Sequence, residues 1–237
     1  MLQVEARWLG RALEQIDTEG LSPLLNVGSA TAEFRQRLQP WIDQWIFAPL
    51  RRRGVEVHHL DIQDGEGIDL RGDLMDDTFV AGLVGRGYRA MLCCNLLEHV
   101  PDPTAMCAKL EWLLPAGGYI MVTVPHRFPY HPDPIDTMFR PTVEDLARLF
   151  PHCLLVDGAL LDGGTGWDYV ERNPCVLVSK AKQRLVGPRR HGGVRGAASF
   201  LPWLFRRFRQ TCVVLRRQDG PWIGALAVNE APPSPDV

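Results

Sequence analysis

The chain has 237 residues, 46% of them hydrophobic and 23% charged, which is the composition of a globular protein with a sizeable core. No apolar run reaches the length of a membrane-spanning helix, and the first residues lack the pattern of a signal peptide. We therefore expect a cytoplasmic protein. The six cysteines include no pair at the two-residue spacing of zinc and redox sites, which predicts reduced thiols and no metal site.

The N-terminal segment, residues 1–20, predicts an amphipathic helix that lies over the site, because its large apolar residues fall near helical spacing. A strand follows at 24–27, and then a helix over 32–54 that is interrupted at Pro40 and Pro49. The remaining strands are predicted at residues 55–62, 68–74, 88–97, 118–125, 153–161 and 211–215. The remaining helices are predicted at 79–87, at 104–114 after Pro103 with Thr104 as its cap, and at 142–150 with Thr142 as its cap.

Strands alternate with helices along most of this order, which predicts an α/β, doubly wound, mostly parallel sheet of about seven strands. A stretch rich in glycine, arginine and aromatic residues breaks the alternation, and we interpret it as an insertion or cap before the last strand. The predicted boundaries are the helix at 1–20, a cofactor-binding core at 21–161, the cap at 162–208, the last strand and a C-terminal extension at 209–228, and a disordered tail at 229–237.

Ligands of doubly wound sheets bind outside the carboxyl ends of the strands, so the residues that follow each strand are candidates for function. Gly28 follows the first strand, and the small residues Ser29 and Ala30 allow a ligand to approach the backbone. Only one glycine of a dinucleotide-binding loop is present, which counts against a nicotinamide-dependent oxidoreductase. An ordinary strand-to-helix turn is the alternative interpretation.

Two aspartates follow later strands. Asp61 ends the second strand, where a carboxylate can accept hydrogen bonds from the vicinal hydroxyls of a ribose. Asp73 is placed to meet an adenine amino group. Each is also interpretable as an exposed turn or cap residue.

The set of motifs VGSATAEF, HLD, GDL, NLLEHV and LLPAGGYIMVTVP resembles the class I methyltransferases that use S-adenosylmethionine, over roughly residues 20–150. The resemblance implies a Rossmann-like fold and S-adenosylmethionine as cofactor. This chain departs from the family at Asn26, which replaces an acid, and in the single glycine of the loop. The implied cofactor-binding residues are Asn26, Gly28, Ser29, Ala30, Asp61, Ile62, Asp73, Leu74, Asn95 and Leu96.

Three further stretches, HLDIQDGEGIDLRGDL, FPYHPDPIDTMFRP and LPWLFRRFRQTCVVL, look like bacterial methyltransferases of surface-glycan and other carbohydrate pathways. This likeness implies O-methylation of a sugar, glycan or related polar small molecule. His99 and His126 are candidate general bases, since both lie just past strand ends. For either ring, a structural hydrogen bond to a loop carbonyl is the alternative.

The proline-rich loop from Phe128 to Pro141 leaves the fifth strand on the side where an acceptor must approach. Its prolines fix the backbone, so its polar side chains can be held at defined positions. The alternative is a rigid surface loop closed by a pair between Asp136 and Arg140. The predicted substrate-binding residues are Arg127, Tyr130, His131, Asp133, Asp136, Arg140 and Trp167.

A basic segment, residues 180–217, carries eleven Lys and Arg and no acid, whereas the rest has fifteen bases and twenty-eight acids. It predicts an anionic partner: the phosphate of a nucleotide-linked or lipid-linked sugar, or a membrane surface. Nucleic acid is not expected, because the remainder is acidic and shows no binding motif. The oligomeric state stays open. Because the loop after the first strand has only one glycine, a second function stays open: a methyltransferase-like binding or assembly protein without catalysis.

Overall fold

A computed structural model describes residues 1–131, 135–165 and 207–218 of the chain. Within these residues, one seven-stranded sheet forms the centre of the molecule. Its strands are β1 (Leu24–Val27), β2 (Val57–Asp61), β3 (Leu70–Arg71), β4 (Ala90–Cys94), β5 (Tyr119–Arg127), β6 (Cys153–Thr165) and β7 (Arg207–Arg217).

The strands lie in the order β3-β2-β1-β4-β5-β7-β6, and β7 alone runs antiparallel to its neighbours. The predicted mostly parallel, doubly wound sheet is therefore confirmed. Strand order reverses between β1 and β4, which pair directly along Leu24–Val27 and Ala90–Cys93. The carboxyl ends at this reversal form the crevice in which doubly wound sheets bind ligands.

The helices among the described residues are α1 (Gln3–Glu14), α2 (Thr18–Leu21), α3 (Pro40–Ile42), α4 (Ala48–Arg52), α5 (Asp77–Val84), α6 (Pro103–Leu113) and α7 (Val143–Arg148). Within the helix predicted at 32–54, two π-helical turns alternate with α3 and α4: Phe34–Leu38 precedes α3, and Asp43–Phe47 lies between α3 and α4. Pro40 and Pro49 each fall in the first turn of a helix, where the missing N–H costs no hydrogen bond. None of the described helices combines the length and apolarity that a membrane crossing requires.

The predicted cap of α6 is wrong. Asp102, rather than Thr104, accepts the hydrogen bond from the Ala105 amide, at 2.9 Å. Pro103 occupies the first helical position, which moves the capping position one residue before it. Thr142 caps α7 as predicted, through a bond from the Asp145 amide at 3.1 Å.

The two strands at the far edge are longer than the sequence pattern suggests. β6 continues to Thr165 and β7 begins at Arg207, so both extend into the interval 162–208 that the pattern predicts as a cap. Thr165 pairs with Arg207 in the sheet, and the Arg207 guanidinium lies 2.6 Å from the Asp162 carboxylate. Residues 166–206 lie outside the described part of the chain.

The core consists of two apolar layers, one on each face of the sheet. Alternate residues of β4 enter different layers: Met91 and Cys93 pack with α5, α6 and α7, whereas Ala90 and Leu92 pack with α1, α3 and α4. These four side chains are at most 1% exposed. The apolar runs of the central strands thus reflect burial on both sides, as the sequence predicts.

A buried acid anchors α1 to the carboxyl ends of the strands. Glu5 is fully buried, and its Oε1 accepts hydrogen bonds from Asn95 Nδ2 at 2.7 Å and Thr123 Oγ1 at 2.6 Å. Its Oε2 accepts the Leu2 amide at 3.0 Å. Gln210 of β7 donates in turn to Asn95 Oδ1 at 2.5 Å. One network therefore joins the N-terminal helix to β5, to β7 and to the turn after β4.

Replacement of Glu5 by alanine is expected to lower the free energy of unfolding by at least about 3 kcal/mol, because it leaves the buried Thr123 and Asn95 donors without an acceptor. Glu14 lies on the exposed face of the same helix, so Glu14→Ala should change stability by less than about 0.5 kcal/mol. Denaturant unfolding of both variants measures the difference, and equal effects would contradict the anchoring role.

Candidate active site

A cavity of about 610 Å³ opens at the carboxyl ends of β1, β2, β4 and β5. This volume is in the range that holds a cofactor or a small substrate. Its walls combine the loop after β1, the end of β2 and the turn after β4 with the first two residues of the chain. The cavity therefore occupies the crevice that the reversal of strand order creates.

The loop after β1 adopts a conformation that favours small residues. Gly28 has φ +66° and Ala30 has φ +52°, both in the left-handed region. A Cβ atom at position 28 would lie 3.1 Å from the Leu96 side chain, so glycine also fits the close packing there. The loop thus presents its backbone directly to the cavity.

Asp61 holds this loop against the end of β2. Its Oδ2 accepts the Ala30 amide at 2.8 Å, and its Oδ1 accepts the Gln63 amide at 3.0 Å. A carboxylate offers about four acceptor positions, so two are left for a ligand. The structure therefore brings the Gly28 turn and the Asp61 carboxylate together on one wall of the cavity.

Arg35 supports the same wall and also lines the cavity, and sequence reasoning missed it. Its buried guanidinium donates to Ser29 O at 3.1 Å, to Ala30 O, and to Gly67 O at 2.7 Å. Desolvation by burial lowers the pKa of Arg35. An arginine in a segment that contains several arginines is ordinarily interpreted as part of a solvated helix face. The sequence therefore provided no indication of this role.

Asn26 meets a half-buried histidine rather than a charged partner. Its Nδ2 lies 3.0 Å from Nδ1 of His59, which must be the accepting nitrogen because the amide group can only donate there. Desolvation, with a smaller contribution from the Arg35 charge, lowers the pKa of His59 to about 4. His59 is thus held neutral behind the cavity wall.

Three ionisable side chains form a cluster at the other end of the cavity. Glu98 is fully buried, and neither of its carboxylate oxygens has a hydrogen-bond partner among the described residues. Burial raises the pKa of Glu98 to about 8. His99 Nε2 lies 3.8 Å from Glu98 Oε1, and the rings of His99 and His131 meet edge-on with centroids 5.2 Å apart. Glu98 belongs to the NLLEHV motif, but no role for its side chain was predicted from the sequence.

The loop after β5 is built around a second buried acid. Asp136 accepts hydrogen bonds from Arg140 Nη2 at 2.7 Å, the His131 amide at 3.0 Å and the Met138 amide at 2.8 Å. Burial would raise the pKa of Asp136, but these bonds outweigh it and lower the pKa to about 2. Thr137 joins the loop to the Glu98 carbonyl through its amide, at 2.9 Å. The pair between Asp136 and Arg140 is therefore present, as the alternative interpretation of this loop expected.

The predicted site residues divide into those that line the cavity and those that do not. The lining residues are Asn26, Gly28, Ser29, Ala30, Asp61, Asn95, His99 and His131. Outside its lining lie Ile62, Asp73, Leu74, Leu96, His126, Arg127, Tyr130, Asp136 and Arg140. Asp133 and Trp167 are outside the described residues.

Several of the outlying residues have structural partners. Asp73 accepts the Met75 amide at 2.8 Å, and Leu74 is only 2% exposed. His126 Nδ1 donates to the Pro141 carbonyl at 3.0 Å, which matches the structural alternative for that ring. Arg127 lines a separate cavity of about 140 Å³ that Arg207 shares.

Comparisons with known proteins agree with the fold. No protein-family model matches the chain. It is 29% identical over 102 residues to the ubiquinone biosynthesis O-methyltransferase of Xanthomonas axonopodis pv. citri (strain 306), and the match covers 43% of this chain and 41% of that protein. The chain thus spans less than half the length of the curated relatives it matches.

Among solved structures, a coclaurine N-methyltransferase bound to N-methylheliamine and SAH superposes with TM-score 0.52 at 12% identity, over 91% of this chain and 70% of that one. The [4+2]-cyclase SpnF superposes with TM-score 0.51 at 15% identity, over 90% and 81%. The chain therefore has the Rossmann-like α/β fold of methyltransferases. Because the same fold also carries a cyclase, the fold by itself does not fix the reaction.

Substitution of Gly28 by alanine is expected to lower the free energy of unfolding by about 1–2 kcal/mol, because a side chain at φ +66° is strained and its Cβ would press on Leu96. Gly82 in α5 is the matched control, since a Cβ there meets nothing within 4 Å. Gly82→Ala should be neutral or slightly stabilising. Similar losses in both variants by denaturant unfolding would contradict the special role of the Gly28 turn.

Stability should fall in acid partly through His59. Between its unfolded pKa near 6.5 and its folded pKa of about 4, the unfolded chain binds a proton that the folded chain rejects, so the free energy of unfolding decreases as the pH falls. In His59→Gln this contribution is absent, and the loss between about pH 7 and pH 4.5 should shrink by about 2 kcal/mol. Urea unfolding at both pH values tests this; an equal loss in wild type and variant would refute it.

Proposed function

We propose that this chain is an S-adenosylmethionine-dependent methyltransferase that methylates a hydroxyl oxygen of a sugar, glycan or related polar small molecule. One observation carries the proposal. The strained loop after β1 and the Asp61 carboxylate meet in a cavity at the reversal of strand order, and a cluster of ionisable groups occupies the same cavity.

The residues at the carboxyl ends of β1 and β2 are suited to bind a nucleoside that carries no phosphates. Two acceptor positions of Asp61 remain for vicinal hydroxyls, and the backbone at Gly28 allows close approach. The loop carries no set of glycines for a pyrophosphate, which supports a sulfonium nucleoside over a dinucleotide. Asn26 and Asn95 would contact the remainder of the cofactor, and Asp73 would serve the adenine end.

The cofactor supplies an activated methyl group for in-line displacement. The chain's own task is then to align the acceptor, exclude water and activate the hydroxyl, and alignment of this kind can contribute about 7–11 kcal/mol. Nδ1 of His99 bonds to the Ile135 carbonyl, which leaves Nε2 as the nitrogen that faces the reaction. His99 therefore takes the activating role, and His126, whose ring lies outside the cavity lining, a supporting one.

The proposed acceptor class depends on the polar loop after β5 and on the activity for which the matched relatives are named. Those relatives are named as O-methyltransferases, which supports oxygen as the nucleophile. His131 and Phe128 bring a polar and an aromatic surface to the cavity mouth, a pairing that suits a polyhydroxyl molecule. A binding protein without catalysis is not favoured, because the ionisable cluster and the cofactor wall share one cavity.

The basic residues of β7 extend this proposal to an anionic acceptor. Arg207 and Arg127 line the small cavity beside Phe128, where a phosphate of a nucleotide-linked or lipid-linked sugar would find two cations. A lipid-linked acceptor would bring the chain to a membrane surface, with the segment 180–217 as the contact.

Calorimetric titration with S-adenosylhomocysteine tests the cofactor assignment. We expect binding by the wild type and at least tenfold weaker binding by Asp61→Ala, because the variant loses the ribose acceptor and releases the Ala30 amide. Asp64 is an exposed acid three positions away that does not line the cavity, so Asp64→Ala should bind as the wild type does. Absence of wild-type binding would end the proposal.

A further inference from the structure

Glu98, His99 and His131 form a compact set of potential metal ligands on the cavity wall. One carboxylate oxygen and one nitrogen of each ring lie within 4.8 Å of one another. The turn after β4 supplies the first two residues and the loop after β5 supplies the third. Thr137 bonds to the Glu98 carbonyl through both its amide and its hydroxyl, which ties this loop to the turn.

The surroundings of the two rings fix which nitrogen of each is left free to bind a ligand. Nδ1 of His99 lies against the Ile135 carbonyl, and Nδ1 of His131 lies 3.0 Å from the Pro129 carbonyl. A carbonyl only accepts, so each Nδ1 carries the proton and each Nε2 keeps its lone pair. Asp136 Oδ2 lies 3.1 Å from Nδ1 of His131 and reinforces this tautomer. Metal-binding histidines are oriented in this way by carbonyls and carboxylates.

Glu98 supplies an independent indication that a ligand belongs here. Its side chain is fully buried and lines the cavity, yet neither carboxylate oxygen has a hydrogen-bond partner among the described residues. A buried polar group without a partner is costly and calls for an ion or a ligand. The 3.8 Å between Glu98 Oε1 and His99 Nε2 is too long for a hydrogen bond but spans two ligands of one ion.

We propose that Glu98, His99 and His131 bind a divalent transition-metal cation whose open coordination positions take hydroxyl oxygens of the acceptor. Two imidazole nitrogens and one carboxylate oxygen suit zinc, cobalt or iron better than magnesium or calcium, which prefer sets made only of oxygen ligands. Three protein ligands leave positions free, as in catalytic rather than structural sites. The proposal that these residues bind a cation does not depend on the proposed function. The proposal that the cation binds acceptor hydroxyls rests on it.

A cation at this place would activate the acceptor. It would lower the pKa of a bound hydroxyl, whose O–H bond would then break and whose proton would pass to bulk solvent. The oxygen keeps the electron pair and forms the new bond to the methyl carbon, while the carbon–sulfur bond breaks and leaves its pair on sulfur. With the cation bound, Nε2 of His99 is a ligand, and the activation of the hydroxyl that the proposed function assigns to His99 comes from the cation instead.

Cobalt titration of the chelator-treated full chain tests the site. We expect one Co²⁺ per chain, with d–d absorption bands that saturate. Glu98→Gln and His131→Gln, each of which removes one ligand, should weaken the binding at least tenfold. His58 bonds to Tyr88 outside the cavity lining, so His58→Gln is the matched control and should bind Co²⁺ as the wild type does.

Two further measurements are made on the same samples. Thermal unfolding shows whether each variant is folded, and S-adenosylhomocysteine binding separates a failure of the cation site from a failure of the proposed function. Absence of saturable Co²⁺ binding in a wild type that binds S-adenosylhomocysteine overturns the cation site and leaves the proposed function standing. Co²⁺ binding that both ligand variants retain also overturns it, because the ion would then sit elsewhere. Loss of S-adenosylhomocysteine binding by the wild type refutes the proposed function, while the Co²⁺ result still decides the cation site.

Discussion

The arrangement of the cavity depends on the hydrogen bonds that the buried carboxylate of Glu5 accepts. Apolar contacts hold α1 against the sheet, but they permit small shifts along its surface. Hydrogen bonds from Asn95, Thr123 and the Leu2 amide to one buried acid fix the position of the helix relative to β4 and β5. They also hold Asn95 at φ +52°, a strained backbone conformation at the edge of the cavity. The wall formed by the first residues is therefore set by one buried charge.

Much of the fold followed from local patterns in the sequence. Continuous apolar runs such as Ala90–Cys94 and short polar turns between them were enough to place the strands, and the parallel arrangement required by alternating helices was confirmed. The meeting of Gly28 and Asp61 followed from the same rule, because parallel strands end at one edge of a sheet. Neither inference needed knowledge of side-chain contacts.

The residues that sequence reasoning missed are buried polar groups with distant partners. Glu5 and Thr123 are separated by 118 positions, and an acid in an amphipathic helix is ordinarily interpreted as part of its solvated face. Arg35 likewise stands among other arginines, yet its partners are carbonyls of two different loops. Glu98 and His131 approach each other only because two loops leave adjacent strands. Partnerships of this kind depend on tertiary packing, which no local pattern encodes.

The pairing of Thr165 with Arg207 matters for insertions in this part of the chain. The sheet fixes these two residues side by side at the end of its outer strands, so the chain between them departs and returns at one anchored point. Doubling the length of such a connection costs only about 0.6 kcal/mol in closure entropy. An insertion between these two positions is therefore expected to leave the hydrogen-bond register of the two outer strands unchanged.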